Sequence, residues 1–348
     1  MRPHTLHKDI QKVVNAVDVL SETTYSINGI LRDLSNIKLK LDNGDVLSNT
    51  ASNKASFFKN ILKTDIYNQL YKADVDQNNN VIEDLNHTTF LSELSKANNG
   101  TGTWEDKWVI VGKEQNTDNI IVSKQDIKFW VAAHEVISSN GSYLPNTPCL
   151  VKIGKEVKNL NTSFYMAFGN INKEQIENFE NQLTRFYWNL TPKGAIRYIK
   201  LITHQLNAAS ICFRTKVLSN SQSYDRPDAG VLYLDKSQLT AALPILTEIY
   251  TQLKPFLKYK TPLFTKPLGK GFSFAEDPQN GMSFGISRAE MIGNTLYNCY
   301  QMDIRSKKEI AHEMYTTFYE QGIHPFHPYS SIVGLNDYEQ LLNALNLN

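Results

Sequence analysis

The chain has 348 residues, of which 41% are apolar and 20% are charged, a composition that can bury a sizeable core and excludes a wholly disordered protein. The length exceeds that of one minimal domain, so we expect two lobes, or one domain with an extension. The net charge is +1, but residues 181–290 contain fourteen Lys or Arg and seven Asp or Glu, a local charge of +7 that leaves −6 on the remainder. A basic region in a neutral chain indicates an anionic ligand, although an ordinary solvated basic face is the plainer interpretation.

Residues 1–105 are predicted to form a helical lobe with long polar loops. Apolar residues recur at helical spacing over residues 8–40 and again over residues 57–70. Polar linkers are expected at 74–80 and 97–106. The sequence leaves open whether this lobe binds a partner or leader peptide or only buttresses the rest of the chain.

The pattern changes after residue 105 to a mixture of strands and helices. Short runs rich in β-branched and aromatic residues predict strands at 108–112, 119–122, 149–153, 164–168, 183–189, 211–217 and 230–234. Helical spacing predicts helices at 128–137, 172–182, 191–207, 239–257, 288–300 and 307–321. Thr191-Pro192 is a helix start, with Thr as N-cap and Pro as first helical residue, and Gly322 is a helix end. Residues 261–277, punctuated by Pro and Gly, are predicted to be a loop.

This order of elements predicts an α+β fold. We expect a mixed or antiparallel central sheet with flanking helices, because regular βαβ alternation is missing. The helical lobe (1–105) would precede an α+β domain over residues 106–348.

Other features of the sequence exclude several classes of protein. No stretch approaches the roughly 20 apolar residues of a membrane helix, and the N-terminus opens no apolar segment typical of a signal peptide. The three cysteines, an odd and sparse set, favour a reducing cytosol over a disulfide framework. We therefore expect a cytoplasmic protein without membrane contact. Because no Cys or His cluster has zinc spacing, we expect no metal and no other cofactor.

Three short motifs resemble known sites but lack essential residues. Residues 74–80 offer oxygen ligands at EF-hand spacing, but Asn79 stands where the loop needs Gly and Leu85 where it needs Glu. Residues 269–271 (Gly-Lys-Gly) lack the spacing of a P-loop. Residues 324–327 (His-Pro-Phe-His) have no carboxylate close in sequence, so an ordinary loop is the safer interpretation.

A set of cations and aromatic residues in the basic region carries the functional argument. Alternation along the strand at 183–189 places Arg185, Tyr187 and Asn189 on one face. On the strand at 211–217, Arg214 and Lys216 share a face. Further candidates lie in loops, in a strand and at a helix start: Tyr224, Arg226, Asp228, Tyr233, Lys266, Ser283 and Arg288.

These residue types suit the recognition of phosphate. Arginine gives bidentate contacts to phosphate, and a helix N-terminus that begins at Ser283 could hold an anion together with Arg288. A lysine that is desolvated and crowded by cations can lose its proton and act as a base. The plainer interpretation has each cation solvated or paired with Asp225, Asp228 or Glu290.

The strings R-x-Y-x-N from Arg185, F-x-x-K ending at Lys216, Y-x-R-x-D-A-x-V-L-Y from Tyr224 and S-F-G-x-x-R from Ser283 occur in this order. Together they resemble the HopA-type effector family, known from type III secretion in plant-pathogenic pseudomonads. Related domains include the lyase component of class V lanthipeptide biosynthesis. The resemblance runs from about residue 164 to 329.

The resemblance implies a phosphoserine/phosphothreonine lyase, which removes phosphate by β-elimination and leaves dehydroalanine or dehydrobutyrine. In this interpretation Lys216 is the base and Tyr187 the candidate acid. The phosphate would be held by Arg214, Arg226 and Arg288, with Arg185 and Lys266 assisting. Supporting roles would fall to Asn189, Tyr224, Asp228, Tyr233 and Ser283.

A second resemblance, to phosphothreonine lyases of the OspF/SpvC kind, favours Lys216 as the base. Those enzymes carry a Lys-x-His pair upstream of the base lysine, where this sequence has Arg185 and Tyr187. Because no histidine stands at 187, the acid is Tyr187, or His204 of the preceding helix, or absent. His204 is equally compatible with a packed helix residue.

The sequence leaves competing functions open. A lyase would act on a phosphorylated precursor peptide made by a separate kinase, because no H-R-D or D-F-G motif occurs here. The alternative is a non-catalytic protein, secreted as an effector, that binds a phosphopeptide or a host protein. Nucleic-acid binding is disfavoured, since the basic residues alternate with core strands and no RNP, KH or helix-turn-helix pattern is present.

Overall fold

The structure is a computed structural model that describes residues 6–36, 51–72, 87–124, 127–160, 163–171, 182–343 and 345. The EF-hand-like segment at 74–80 lies outside the described residues, as does the predicted helix at 172–182 except for its last residue. Within the described ranges, no helix is long and apolar enough to cross a membrane.

Helices and strands alternate irregularly along the chain. The α-helices of the described residues are α1 (Lys8–Ala16), α2 (Ala51–Ile66), α3 (His87–Ala97), α4 (Pro192–Ala208), α5 (Leu239–Leu253), α6 (Phe284–Gln301), α7 (Lys307–Glu320) and α8 (Leu335–Leu342). The strands are β1 (Val17–Val19), β2 (Thr24–Ile27), β3 (Ile30–Asp33), β4 (Thr103–Lys113), β5 (Asn119–Lys124), β6 (Ile127–Ala132), β7 (Val136–Ser138), β8 (Pro148–Ile153), β9 (Glu156–Leu160), β10 (Phe164–Phe168), β11 (Leu183–Trp188), β12 (Phe213–Leu218), β13 (Gly230–Asp235), β14 (Lys266–Gly269) and β15 (Phe272–Glu276).

A seven-stranded antiparallel sheet, in the order β14-β15-β11-β13-β12-β10-β9, forms the centre of the molecule. Helices α4 and α5 cover one face, where Trp188 packs against Tyr198 and Tyr250. Phe284 of α6 approaches the other face at Tyr187, with ring centroids 6.3 Å apart. The predicted α+β fold with an antiparallel central sheet and flanking helices is confirmed.

The register of the sheet decides which side chains share a face. Arg185 and Arg214 are both paired with Tyr233, while Tyr187 and Lys216 are both paired with Val231. Directly opposed residues point to the same face of a sheet. Arg185, Tyr187, Arg214, Lys216 and Tyr233 therefore lie on one face, which we call the cationic face.

The helix predicted over residues 8–40 is wrong from Val17 to Asp33, and residues 37–40 lie outside the described part of the chain. The chain continues instead as the three-stranded antiparallel sheet β1-β2-β3. Asn28 and Gly29 join β2 to β3 with φ angles of 51° and 78°. A left-handed backbone conformation at both central residues gives a tight turn whose twist matches that of a β-hairpin. The Asn-Gly pair therefore favours a hairpin over a helix at this point of the chain.

Two further predictions of local structure are wrong. Residues 128–137 were expected to be helical but form β6, a single 3₁₀ turn and β7. Residues 261–277 were expected to be a loop but contain β14 and β15, where Phe272 and Phe274 are fully buried. β14 lies at the edge of the sheet, and an edge strand tolerates Pro267 because its missing N–H breaks no internal ladder.

The first helices share one hydrophobic core with the central sheet and the C-terminal helices. Leu62 and Ile66 of α2 are completely buried and lie against α6 at Gly293, and Phe58 packs on Tyr297 with ring centroids 5.2 Å apart. The five-stranded sheet β6-β5-β4-β8-β7 has a separate cluster around Trp108. The domain boundary after residue 105 stays a prediction.

The shared core predicts that Leu62→Ala destabilises the whole chain. A Leu→Ala change in a closed core costs about 2–5 kcal/mol through lost burial and a residual cavity. Urea unfolding followed by circular dichroism and by the fluorescence of Trp188, with the three tryptophans of the five-stranded sheet replaced by phenylalanine, should show one transition, shifted equally in both signals. Leu20→Ala, at a side chain that is 52% exposed, is the control and should shift neither. A separate early transition that leaves the tryptophan signal unchanged would contradict the shared core.

Candidate functional site

Lys216 projects from β12 between two aromatic rings. Its Nζ lies 4.3 Å from the ring centroid of Phe164 and 5.9 Å from that of Tyr233. Within the described part of the chain, no carboxylate lies within ion-pair distance of this amine. Aromatic faces attract a cation without taking up its protons, so the amine remains available for chemistry.

Arg185 lies next to Lys216 across the Tyr233 ring. Its guanidinium carbon is 5.3 Å from the Tyr233 centroid, and its Nε donates to Asp277 Oδ2 at 2.6 Å. The Nη2 group also donates to the carbonyl of Met282 at 3.2 Å. Burial opposes the charge of Arg185, but Tyr187, Tyr233 and Asp277 together raise its pKa. The arginine is thus held in one orientation at the side of the site.

Tyr187 lies deeper on the same face and is 3% exposed. Burial raises its pKa, while the charge of Arg185 opposes the rise. The phenol is therefore protonated at neutral pH and can donate a hydrogen bond. Its hydroxyl interacts with that of Tyr71, and Phe284 packs nearby, so Tyr187 is covered on its outer side.

Arg226 is fixed by a bidentate contact with Asp228. Its Nε and Nη2 donate to the two carboxylate oxygens, the second at 2.6 Å, and Nη2 also donates to the hydroxyl of Tyr67 at 3.1 Å. Burial works against the charge, but Asp228 raises the pKa of Arg226. The guanidinium carbon lies 5.8 Å from the Phe164 centroid, so Arg226 and Lys216 flank the same ring.

Arg288 is a buried cation without a carboxylate partner among the described residues. It is 3% exposed, and its Nε donates to the carbonyl of Pro328 at 2.9 Å. Its Nη1 is buried with no hydrogen-bond partner in the described chain. Burial lowers its pKa to about 10, although Tyr187 and Glu276 oppose the change. A buried charge that lacks a carboxylate partner costs folding free energy.

A cleft of about 240 Å³ opens on the cationic face. It is lined by Met166, Leu183, Arg185, Arg214, Tyr233, Asp277, Gly281 and Met282. Arg214 reaches it from β12 while its Nη2 pairs with Glu105 of β4 at 3.1 Å. Among the described side chains, no group of three His, Cys, Asp or Glu residues could hold a metal ion.

Of the predicted site residues, Arg185, Arg214 and Tyr233 line this cleft, while Lys266 and His204 lie away from the cationic face. Lys266 is paired with Phe274, on the face opposite Tyr187, and its Nζ contacts Glu339 at 2.5 Å. His204 is exposed on α4, the helix whose Tyr198 hydroxyl contacts Thr215 at 2.7 Å. Because Thr215 and Lys216 are neighbours on a strand, they face opposite sides of the sheet. The structure therefore does not bring Lys266 or His204 to Lys216.

Three predicted supporting residues hold the framework of the site. Asn189 donates from Nδ2 to the carbonyl of Lys260 at 3.0 Å, and the Tyr224 hydroxyl donates to the carbonyl of Leu218 at 2.8 Å. Ser283 caps α6 by accepting from the backbone N–H of Ile286. These contacts fix loops and a helix start rather than lining the cleft.

The N-terminal lobe contributes side chains that sequence reasoning missed. A π-helical segment, Tyr67–Tyr71, follows α2, and the rings of Tyr67 and Tyr71 stack with centroids 5.2 Å apart. Tyr71 lies against the start of α6, where a Cβ on Gly285 would be 2.5 Å from its ring. The ammonium of Lys72 lies 5.2 Å from the Tyr67 centroid, and burial together with Arg226 lowers the pKa of Lys72. π-Helical turns are frequent at functional sites, but nothing in the sequence marks this one.

The fold and the cationic face define an α+β protein whose central antiparallel sheet carries a basic cleft. The chain belongs to the HopA1 effector protein family, whose model matches residues 156–330. The family resemblance inferred from the sequence motifs is thereby confirmed, and the chain is an effector-like protein. Every site residue predicted from the sequence lies within the matched range, whereas Tyr67 and Lys72 lie outside it.

Two solved structures of Pseudomonas syringae effector proteins are similar to this chain. The effector of pathovar tomato strain DC3000 is 16% identical with a TM-score of 0.44, and the match covers 79% of this chain and 95% of that one. The effector of pathovar syringae strain 61 is 17% identical with a TM-score of 0.46, covering 80% and 94%. No protein with a curated description matches the sequence.

Proposed function

We propose that the protein is a phosphoserine/phosphothreonine lyase that eliminates phosphate from a peptide. The observation that carries the proposal is the position of Lys216, an amine without a carboxylate partner among the described residues, with Arg185 and Arg226 on either side. A site that only bound an anion would need cations there, but not one able to give up its proton. Unlike the arginines beside it, a lysine can act as a base through its neutral form.

In the proposed reaction, the neutral Lys216 amine takes the α-proton of the phosphorylated residue. The electrons of the C–H bond form the new double bond, the Cβ–O bond breaks, and phosphate leaves with the bridging oxygen. Arg185 and Arg214 line the cleft in which the developing charge on the peptide carbonyl would lie. Arg226 faces the phosphate, held in place by Asp228, and Arg288 adds an uncompensated positive charge beneath.

The proposed substrate is a phosphorylated precursor peptide, as in lanthipeptide-type modification. The phosphate would come from a separate kinase, because this sequence carries none of the kinase motifs. The product, a dehydroalanine or dehydrobutyrine, is an electrophilic alkene that reacts with thiols.

Mass spectrometry of a phosphoserine/phosphothreonine peptide library incubated with the full chain tests this function. We expect peptides that have lost phosphoric acid and that then add an external thiol, with both signals missing for Lys216→Ala. A library unchanged by the wild-type protein, at concentrations at which phosphopeptides bind, would reject the lyase.

The alternative is a non-catalytic protein that binds a phosphopeptide or a host protein. Membership of an effector family favours it, as do the ion pairs that already hold Arg185, Arg214 and Arg226. Binding without elimination in the same assay, equal for wild type and Lys216→Ala, is the result expected of this alternative.

A further inference from the structure

The N-terminal lobe brings a phenol to the proposed phosphate site. The Tyr67 hydroxyl accepts a hydrogen bond from Nη2 of Arg226 at 3.1 Å, while Asp228 binds the same guanidinium. Tyr67 stacks on Tyr71, and the ammonium of Lys72 lies 5.2 Å from its ring centroid. Its hydroxyl hydrogen is thus free to be donated elsewhere, because the contact with Arg226 uses only an oxygen lone pair.

Tyr67 lies on the same side of the sheet as Lys216. Arg226, its hydrogen-bond partner, flanks the Phe164 ring at 5.8 Å, and Lys216 lies 4.3 Å from the same centroid. Lys216 and Arg226, the hydrogen-bond partner of this phenol, therefore flank one ring from different elements of the fold.

We propose that Tyr67 is the proton donor to the leaving phosphate, so that the N-terminal lobe completes the active site. The inference rests on the proposed lyase function. As the Cβ–O bond breaks, the phenol transfers its proton to the bridging oxygen and becomes a phenolate beside Arg226 and Lys72. The ammonium formed on Lys216 then loses its proton to solvent and the phenolate regains one, which restores both groups.

The other two candidate acids fit this role less well. Tyr187 is 3% exposed and covered by Tyr71 and Phe284, so a substrate would have to displace both. His204 is exposed on the helix that covers the opposite face of the sheet. Tyr67 is only partly buried, and burial together with Asp228 raises its pKa, so it is protonated at neutral pH.

The test is the pH dependence of Tyr67→Phe in the full chain, on a phosphothreonine peptide selected from the library assay. General acid catalysis contributes about 10²-fold or more, so we expect a loss of that order near pH 8. The second proton of a phosphate monoester is taken up near pH 6, and the monoanion leaves without help. The ratio of wild-type to variant rate should therefore fall toward 1 as the pH drops to about 5.5.

Tyr198→Phe is the matched control, because it also removes a buried phenol whose partner, Thr215, neighbours Lys216. Its rate ratio to wild type should not change with pH. A Tyr67→Phe variant that matches wild type, or that is slower by one factor at every pH, overturns the donor role and leaves the lyase intact. A wild-type protein that eliminates phosphate from no library peptide overturns the lyase and the donor role together.

Discussion

Replacing Lys216 with arginine is expected to abolish phosphate elimination and to leave phosphopeptide affinity close to that of the wild type. Arginine keeps a positive charge near the rings of Phe164 and Tyr233, so the electrostatic attraction for phosphate is retained. A guanidinium stays charged at all accessible pH and cannot take the α-proton. Removal of a general base costs about 10²–10⁴-fold in rate, which would place the variant at or below the limit of detection.

Thiol-trapping rates and fluorescence-polarisation binding, measured on the same phosphopeptide, separate the two effects. The matched control is Lys236→Arg, at a lysine paired with Asp337 on the surface away from the cationic face, which should react and bind as wild type does. An arginine variant of Lys216 that still eliminates at the wild-type rate would assign the base to another residue. A variant that loses binding as well would mean that the amine contacts the phosphate directly.

Replacing Arg288 with methionine is expected to stabilise the fold and to impair the site. The buried guanidinium lacks a carboxylate partner in the described chain, and one of its nitrogens has no hydrogen bond there. Substitution of buried charges by apolar residues of similar volume is often stabilising by about 1–4 kcal/mol. Loss of a preorganised cation near a developing negative charge costs about 10²–10³-fold in rate.

The urea midpoint and the elimination rate of Arg288→Met should therefore move in opposite directions. Burial lowers the pKa of Arg288 to about 10. The free-energy cost of burying its charge is therefore fully present below pH 10 and decreases only as the pH rises above that value. Arg226→Met is the contrasting variant, because it leaves Asp228 buried and unpaired and should destabilise by about 3–5 kcal/mol. If Arg288→Met is destabilised to a similar degree, the charge supports the fold and its presence is no sign of function.

Much of the fold could be predicted because helix caps and turns depend on only a few neighbouring residues. Thr191 caps α4 as expected, with its hydroxyl accepting from the N–H of Gly194, and Gly322 has the positive φ of a helix end. The errors arose where pairing with a distant strand outweighed local spacing. The run at 128–137 has apolar residues that fit a helix equally well, and only the pairing of its two ends with β5 and β8 makes strands of them. The Asn-Gly pair at 28–29 was a hairpin signal that the helical spacing around it obscured.

The sequence predicted which site residues share a face of a strand, but not the contacts that come from other parts of the chain. Alternation placed Arg185 with Tyr187 and Arg214 with Lys216, and the register of the sheet joins the two pairs. The carboxylate that holds Arg214 comes from Glu105, a partner that no local pattern could reveal. Tyr67 reaches Arg226 across 159 positions of sequence, a contact that only the folded chain creates.

The chain enters and leaves the five-stranded sheet at neighbouring positions. Thr103 at the start of β4 is paired with Ile153 at the end of β8, so the first and last residues of this segment lie side by side on adjacent strands. Paired residues of an antiparallel ladder have Cα atoms about 5 Å apart, a gap that one or two residues can bridge. The sheet is thus built as an insertion, and a relative without it could close the chain between α3 and β9, at the loss of Glu105, the carboxylate that holds Arg214.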